Sequence, residues 1–135
     1  MAEPVSHEQT PTREDLDGTA WQIGFYEDIL KRNPDYAEVL MLLAGLYTDK
    51  RMYAKGLRMD QRLAELRKED PRAWYNLGCS YALVNQADRA FEALFHAVEL
   101  GYDDVAHMSG DSDLERLRSD PRYAEVVARI RRRRS

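Results

Sequence analysis

The chain has 135 residues, of which 44% are hydrophobic and 33% charged, so it carries enough apolar residues for one domain with a modest core. A formal charge of -4 does not point to a nucleic-acid binder, and the single cysteine, Cys79, excludes an intramolecular disulfide and a thiolate metal cluster. No apolar run approaches the roughly 18 residues needed to cross a bilayer.

Residues 1–15, with Pro4, Pro11 and several charges, show no apolar periodicity and are predicted to be a disordered tail; residues 16–135 form one domain. Met1-Ala2-Glu3-Pro4 lacks the basic-then-apolar start of a signal peptide, so a cytoplasmic location is expected. His7 lies in this tail, where a metal-binding role is not expected.

A first helix begins near Thr19, where Trp21, Phe25, Tyr26, Ile29 and Leu30 make an apolar stripe, and Asn33-Pro34 ends it. Leu40, Leu43, Ala44 and Tyr47 repeat the spacing in a second helix. A polar break at Thr48 to Met52 precedes a third, over Tyr53 to Leu66. Asp70-Pro71 then opens a fourth, with Trp74, Leu77 and Tyr81 at i, i+3 and i+7. Gly78 interrupts that helix at a cost of about 1 kcal/mol against Ala, which predicts a close approach by another backbone. After Asn85-Gln86, a fifth helix carries Ala87, Ala90, Phe91, Leu94 and Val98, and it is the expected occupant of the Gly78 notch.

A step of 34 residues relates these helices: Leu40 goes to Trp74, Leu43 to Leu77, Ala44 to Gly78 and Tyr47 to Tyr81. Ile23 goes to Leu57 and then Phe91. Tyr26 and Leu94 agree, but Asp60 between them does not, so the middle repeat is degenerate on that face. The period fails beyond Val98. Gly101-Tyr102 reads as a helix stop, followed by a short helix near 112–118 and a closing helix over 121–131.

Trp74, Leu77, Gly78, Tyr81, Ala90, Leu94 and Ala97 match the pattern Trp-x2-Leu-Gly-x2-Tyr…Ala-x3-aliphatic-x2-Ala, and the chain resembles the tetratricopeptide-repeat family. The usual proline six residues before the tryptophan is missing; Pro71 lies three before it instead. Asp111-Ser112-Asp113-Leu114…Leu117-Arg118…Asp120-Pro121-Arg122-Tyr123 resembles the ending of short bacterial arrays of this family, with Ser112 for a proline and Tyr123 for a phenylalanine. The resemblance implies an all-α, right-handed superhelix of about seven helices: a partial repeat at 19–34, repeats at 37–70 and 71–102, and a cap at 111–131.

It also implies a non-catalytic adaptor or assembly scaffold whose first helices line a concave groove. By position the lining residues are Glu38, Met41, Gly45, Thr48, Arg72, Tyr75, Asn76, Cys79 and Ala82. Family members that clamp a peptide carboxylate use Lys and Asn there. Here Met41 and Tyr75 take the Lys positions, Gly45 and Cys79 take Asn positions, and only Asn76 has a counterpart. The expected ligand is therefore a protein or peptide with apolar anchors, in a rather apolar groove flanked by Arg72 and Glu38.

Other constellations have simpler readings. Cys79 and His96 are read as packing or surface residues rather than nucleophile and base. Asp103, Asp104, Asp111 and Asp113 lack the spacing of a calcium loop and are read as helix N-caps. No cofactor, metal, nucleic acid or membrane partner is expected. Arg129 and Arg131 to Arg134 form a basic end read as a solvated helix terminus, with an acidic lipid or nucleic acid as the rival ligand. Self-association is the other alternative, with Trp21 and Phe25 at the N-terminal edge as its contact.

Overall fold

The computed structural model describes residues 18–134, so the tail predicted over residues 1–15 lies outside the described residues. Helices α1 (Thr19–Arg32), α2 (Ala37–Asp49), α3 (Tyr53–Leu66), α4 (Pro71–Leu83) and α5 (Ala87–Glu99) follow one another through short turns. They are succeeded by α6 (Val105–Gly110), a 3-10 helix (Ser112–Leu117) and α7 (Pro121–Arg134). No strand occurs among the described residues. The five predicted repeat helices are all present. Helix α6 is an addition that the apolar spacing did not announce, because only Met108 within it is buried.

The helix boundaries have local causes. Asp70 accepts a hydrogen bond from Arg72 N at 2.9 Å, and Pro71 occupies the first helical position, where its missing N–H costs nothing. Asp120, Pro121 and Arg122 repeat the device at the start of α7, again at 2.9 Å. Asp104 caps His107 N, and Asp111 caps Asp113 N, so two of the four aspartates read as caps have that role. The α2–α3 and α4–α5 turns are conformational copies: Arg51 and Asn85, one period apart, both adopt left-handed φ, of 62° and 65°. Behind each, the next amide reaches back over the turn, Met52 N to Tyr47 O at 2.7 Å and Gln86 N to Tyr81 O at 3.0 Å.

Packing follows the period as well. Helix pairs α2/α3 and α4/α5 make the most extensive contacts, and α4 also packs on α3 and on the 3-10 helix. The notch at Gly78 is real: Leu94 Cγ and Cδ2 lie 2.9 Å from where a β-carbon would sit. The largest buried cluster joins Phe91, Leu94 and Val98 of α5 to Met108, Leu114, Leu117, Val126 and Ile130 of the C-terminal segment. That segment therefore caps the array by filling the place of a third repeat, and the core continues into it.

Two arginines fasten the last helix over this core. The Arg122 guanidinium lies 4.5 Å from the Phe91 ring centre and 2.8 Å from Asp88, while Arg129 lies 4.6 Å from the Phe95 ring. At the other end α1 contributes no fully buried residue. Trp21 and Phe25 stack on each other at 5.2 Å and remain 70% and 48% exposed.

Candidate functional site: the groove between α2, α4 and the cap

Helices α2 and α4 stand side by side, and the C-terminal cap closes the third side. Between them lie two adjoining clefts that share Met41 and Asn76. The larger, about 570 Å³, reaches from Met41 to Arg67, Arg72, Tyr102, Asp104 and His107. The smaller, about 270 Å³, is bounded by Gly45, Thr48 and four aspartates: Asp49, Asp60, Asp111 and Asp113.

The predicted lining residues fall into three groups. Met41, Gly45, Thr48, Arg72 and Asn76 line one or both clefts. Met41 is 42% exposed, and its neighbour on the same helix, Leu42, is 51% exposed. Glu38 stands outside both clefts and reaches Arg67 at 3.0 Å, so it acts on the groove only through that pair. Tyr75, Cys79 and Ala82 differ from expectation. Tyr75 also borders the larger cleft and Cys79 the smaller, whereas Ala82 lines neither. All three are buried, at 4%, 5% and 1% exposure, because the chain's own cap covers the end of the groove that they form.

That covering is specific. The Tyr102 ring stacks on Tyr75 at 4.3 Å with planes 6° apart, and the Tyr75 hydroxyl donates to Asp111 Oδ2 at 2.6 Å. The Cys79 thiol donates to the same oxygen at 3.7 Å, and His107 Nε2 lies 3.5 Å from it. Burial first, then the Asp111 and Asp113 carboxylates, push the Cys79 thiol well up, so it is held as a neutral thiol and not as a nucleophile. Burial also pushes up the Tyr75 hydroxyl.

The aspartates are the part that sequence reasoning missed. Asp60 is 6% exposed and accepts a hydrogen bond from the Ser80 hydroxyl across the α3–α4 contact. Its carboxyl is raised to about 6, chiefly by burial and further by Asp113, against the opposing Ser80 bond. Asp113 is raised too, by burial and then by Asp111 and Asp49. A signal did exist in the sequence: Asp60 is the residue that breaks the 34-residue period on an otherwise apolar face. Cys79 Sγ and the Asp111 and Asp113 carboxylates come within 4.8 Å of one another. Asp111 is already an acceptor for Tyr75, Cys79 and Asp113 N, and the thiol keeps its proton, so these three groups are poor metal donors as they stand.

The other predicted features separate. His96 packs its ring against Trp74 at 4.3 Å and lines a third hollow, of about 850 Å³, between α3 and α5 on the opposite side of α4. It is therefore in a different cavity from Cys79. In the basic end, Arg129 and Arg132 both reach Glu125, at 3.4 and 2.9 Å. Among the described residues no helix is long and apolar enough to cross a membrane.

No known protein-family profile matches the chain. The general transcriptional corepressor trfA of Dictyostelium discoideum is 28% identical over 75 residues, which are 53% of this chain and 5% of that protein. The chain thus spans about a twentieth of that relative's length. Among solved structures, residues 41 to the end of MamA from Desulfovibrio magneticus RS-1 superpose with a TM-score of 0.68 at 19% identity, covering 87% of this chain and 67% of that one. A further crystal structure of MamA gives 0.67 at 19% identity, covering 96% and 74%. MamA is a tetratricopeptide-repeat protein, and this chain has the fold of a tetratricopeptide-repeat array, a right-handed stack of helix pairs closed by its own C-terminal cap.

Proposed function

We propose that the chain is a non-catalytic interaction scaffold that holds a segment of a protein partner in the groove between α2, α4 and the cap. The observation that carries this reading is the exposure of Met41 inside the groove, beside Gly45, Thr48, Arg72 and Asn76. A large apolar side chain kept at a concave surface among polar groups is the usual composition of a recognition site. Fold alone does not give function, and the reading rests on this site.

Placing a photocrosslinking residue at Met41 or Gly45, and as control at Glu92 on the opposite side, tests it. Crosslinks to a partner protein at the two groove positions, abolished by Arg72→Glu, are the expected result. Crosslinks confined to the Glu92 position would sink the reading.

A second reading, self-association through α1, is favoured by the exposed Trp21–Phe25 stack. Sedimentation of wild type against Trp21→Ser/Phe25→Ser decides it. A dimer in the first and a monomer in the second supports it; a concentration-independent monomer in both removes it.

A further inference from the structure

Helix α1 holds the place of the second helix of a pair, since the 34-residue step carries Ile23 to Leu57 and Phe91. Among the described residues no first helix precedes it. Two exposed apolar side chains, from different helices, border the place that such a helix would fill. Phe25 corresponds over two steps to Ala93, which packs on Leu77 of the first helix of its own pair. Leu42 corresponds to Asn76, which borders the clefts between α4 and the preceding first helix, α2. Both therefore face the same empty position, and Trp21 stacks on Phe25 at its rim. Gly24, in the middle of α1, points the same way. A mid-helix glycine is less stable there than alanine and commonly marks the close approach of another element. Gly78 has Leu94 at its notch and Gly56 has Thr48, but a β-carbon on Gly24 would have nothing within 4 Å. Gly45, equally open, belongs to the groove already described.

We propose that a second copy of the chain supplies the missing helix: the α1 helices of two copies pair antiparallel about a two-fold axis, each standing where the other lacks a first helix. This rests on the self-association reading above and specifies its interface. The residues before α1 do not carry the required face. The 34-residue step places Ser6, Gln9, Thr10 and Arg13 at the positions of Leu40, Leu43, Ala44 and Tyr47, with Pro11 at an interior position. Helix α1 does carry it. Its outer stripe has Trp21, Gly24 and Phe25 at i, i+3 and i+4, where α4 has Trp74, Leu77 and Gly78, a tryptophan followed by one large and one small residue. Setting Gly24 against the partner's Phe25 also brings Trp21 opposite the partner's Asp28, a carboxylate that can accept from the indole N–H. The far end of the array offers no alternative seat. It is closed by α7, whose exposed Glu125, Arg129 and Arg131 to Arg134 are charged, and none of the exposed large apolar side chains among the described residues lies there. A two-fold contact uses both open ends, so assembly stops at the dimer.

Sedimentation equilibrium of the full chain over a wide concentration range, with melting curves of dilute samples, tests the proposal. The wild type should be a dimer in equilibrium with monomer. Gly24→Leu should weaken the dimer about tenfold or more, because the notch that admits the partner is filled. Its dilute melting temperature should stay level or rise, since leucine is the better helix former and its β-carbon meets nothing within the chain. Leu42→Ser should weaken the dimer as well, whereas Met41→Ser, one residue along but facing the groove, should leave it intact. A concentration-independent monomer would overturn this proposal and the self-association reading together. A dimer lost in Trp21→Ser/Phe25→Ser but as tight in Gly24→Leu as in the wild type would keep α1 as a contact and overturn the paired-helix interface. Species that grow beyond the dimer, a dimer indifferent to every change, or a Gly24→Leu protein that melts lower when dilute would each overturn it too.

Discussion

Gly78 and Leu94 approach so closely that a β-carbon at position 78 would stand 2.9 Å from Leu94 Cγ and 3.2 Å from Ala90 O. One period earlier the small residues are exchanged, with Ala44 in place of Gly78 and Gly56 in place of Ala90. A β-carbon on Gly56 would meet Thr48 Oγ1 at 3.4 Å and Ala44 O at 3.6 Å, which is ordinary contact. The same substitution should therefore have opposite signs in the two repeats. Gly78→Ala should destabilise by about 1 to 3 kcal/mol through overpacking. Gly56→Ala should stabilise by about 0.5 to 1 kcal/mol, because a mid-helix glycine loses backbone entropy with no compensating contact. Urea midpoints at constant slope measure both, and equal signs would disprove the exchange.

The turn after α2 contains its own test. Arg51 holds φ at 62° where its periodic counterpart, Asn85, holds 65°. Asparagine tolerates this left-handed region better than a long side chain, and glycine does so without steric cost. Arg51→Gly should raise stability by about 0.5 to 1 kcal/mol and Arg51→Val should lower it by about 1 kcal/mol or more. Thermal denaturation of the three proteins gives the order; a Val variant as stable as the wild type would show that the turn is not constrained.

Tyr75 supplies the third prediction. Its ring lies under Tyr102 and its hydroxyl on Asp111, so it ties α4 to the cap. Tyr75→Ala should cost about 3 to 5 kcal/mol by leaving a cavity, and Tyr75→Phe only about 1 to 2 kcal/mol, through the buried Asp111 oxygen that loses a donor. Far-UV circular dichroism through a urea series checks this. A Tyr75→Ala protein of wild-type stability would return the residue to the open groove.

Tyr75 also shows where sequence reading stops. The helices, their order and the Gly78 notch were legible because each rests on local spacing of apolar and small residues. The closing segment was legible through Asp120-Pro121 and Leu114…Leu117. What was not legible is how far that segment reaches back. Whether a first-helix position is open or covered depends on contacts 27 to 36 residues away in sequence, such as Tyr75 with Tyr102 and Asp111. For the same reason the four aspartates, which come from three separate elements, could be read one by one as caps or surface charges. Only Asp60 stood out, by being polar at an apolar register position.

Asp60 provides the pH test. Its carboxyl is raised from 3.8 to about 6 in the folded chain, chiefly by burial. The folded state therefore binds this proton more tightly than the unfolded chain does. The stability contributed by the protonated form is complete below about pH 4 and is lost as pH rises through about 6. The difference amounts to about 2 to 3 kcal/mol if the whole shift is expressed. Asp113, shifted in the same direction, adds to it, whereas Asp120 and Glu125 are shifted down by their arginine partners and act oppositely in acid. Asp60→Asn isolates the effect, because an amide oxygen still accepts from Ser80 and carries no charge. The variant should be more stable than the wild type at pH 7.5 and should lose the advantage by pH 4.5. Urea denaturation across that interval measures the crossing. Parallel curves for the two proteins would mean that Asp60 is ionised alike in the folded and unfolded chain.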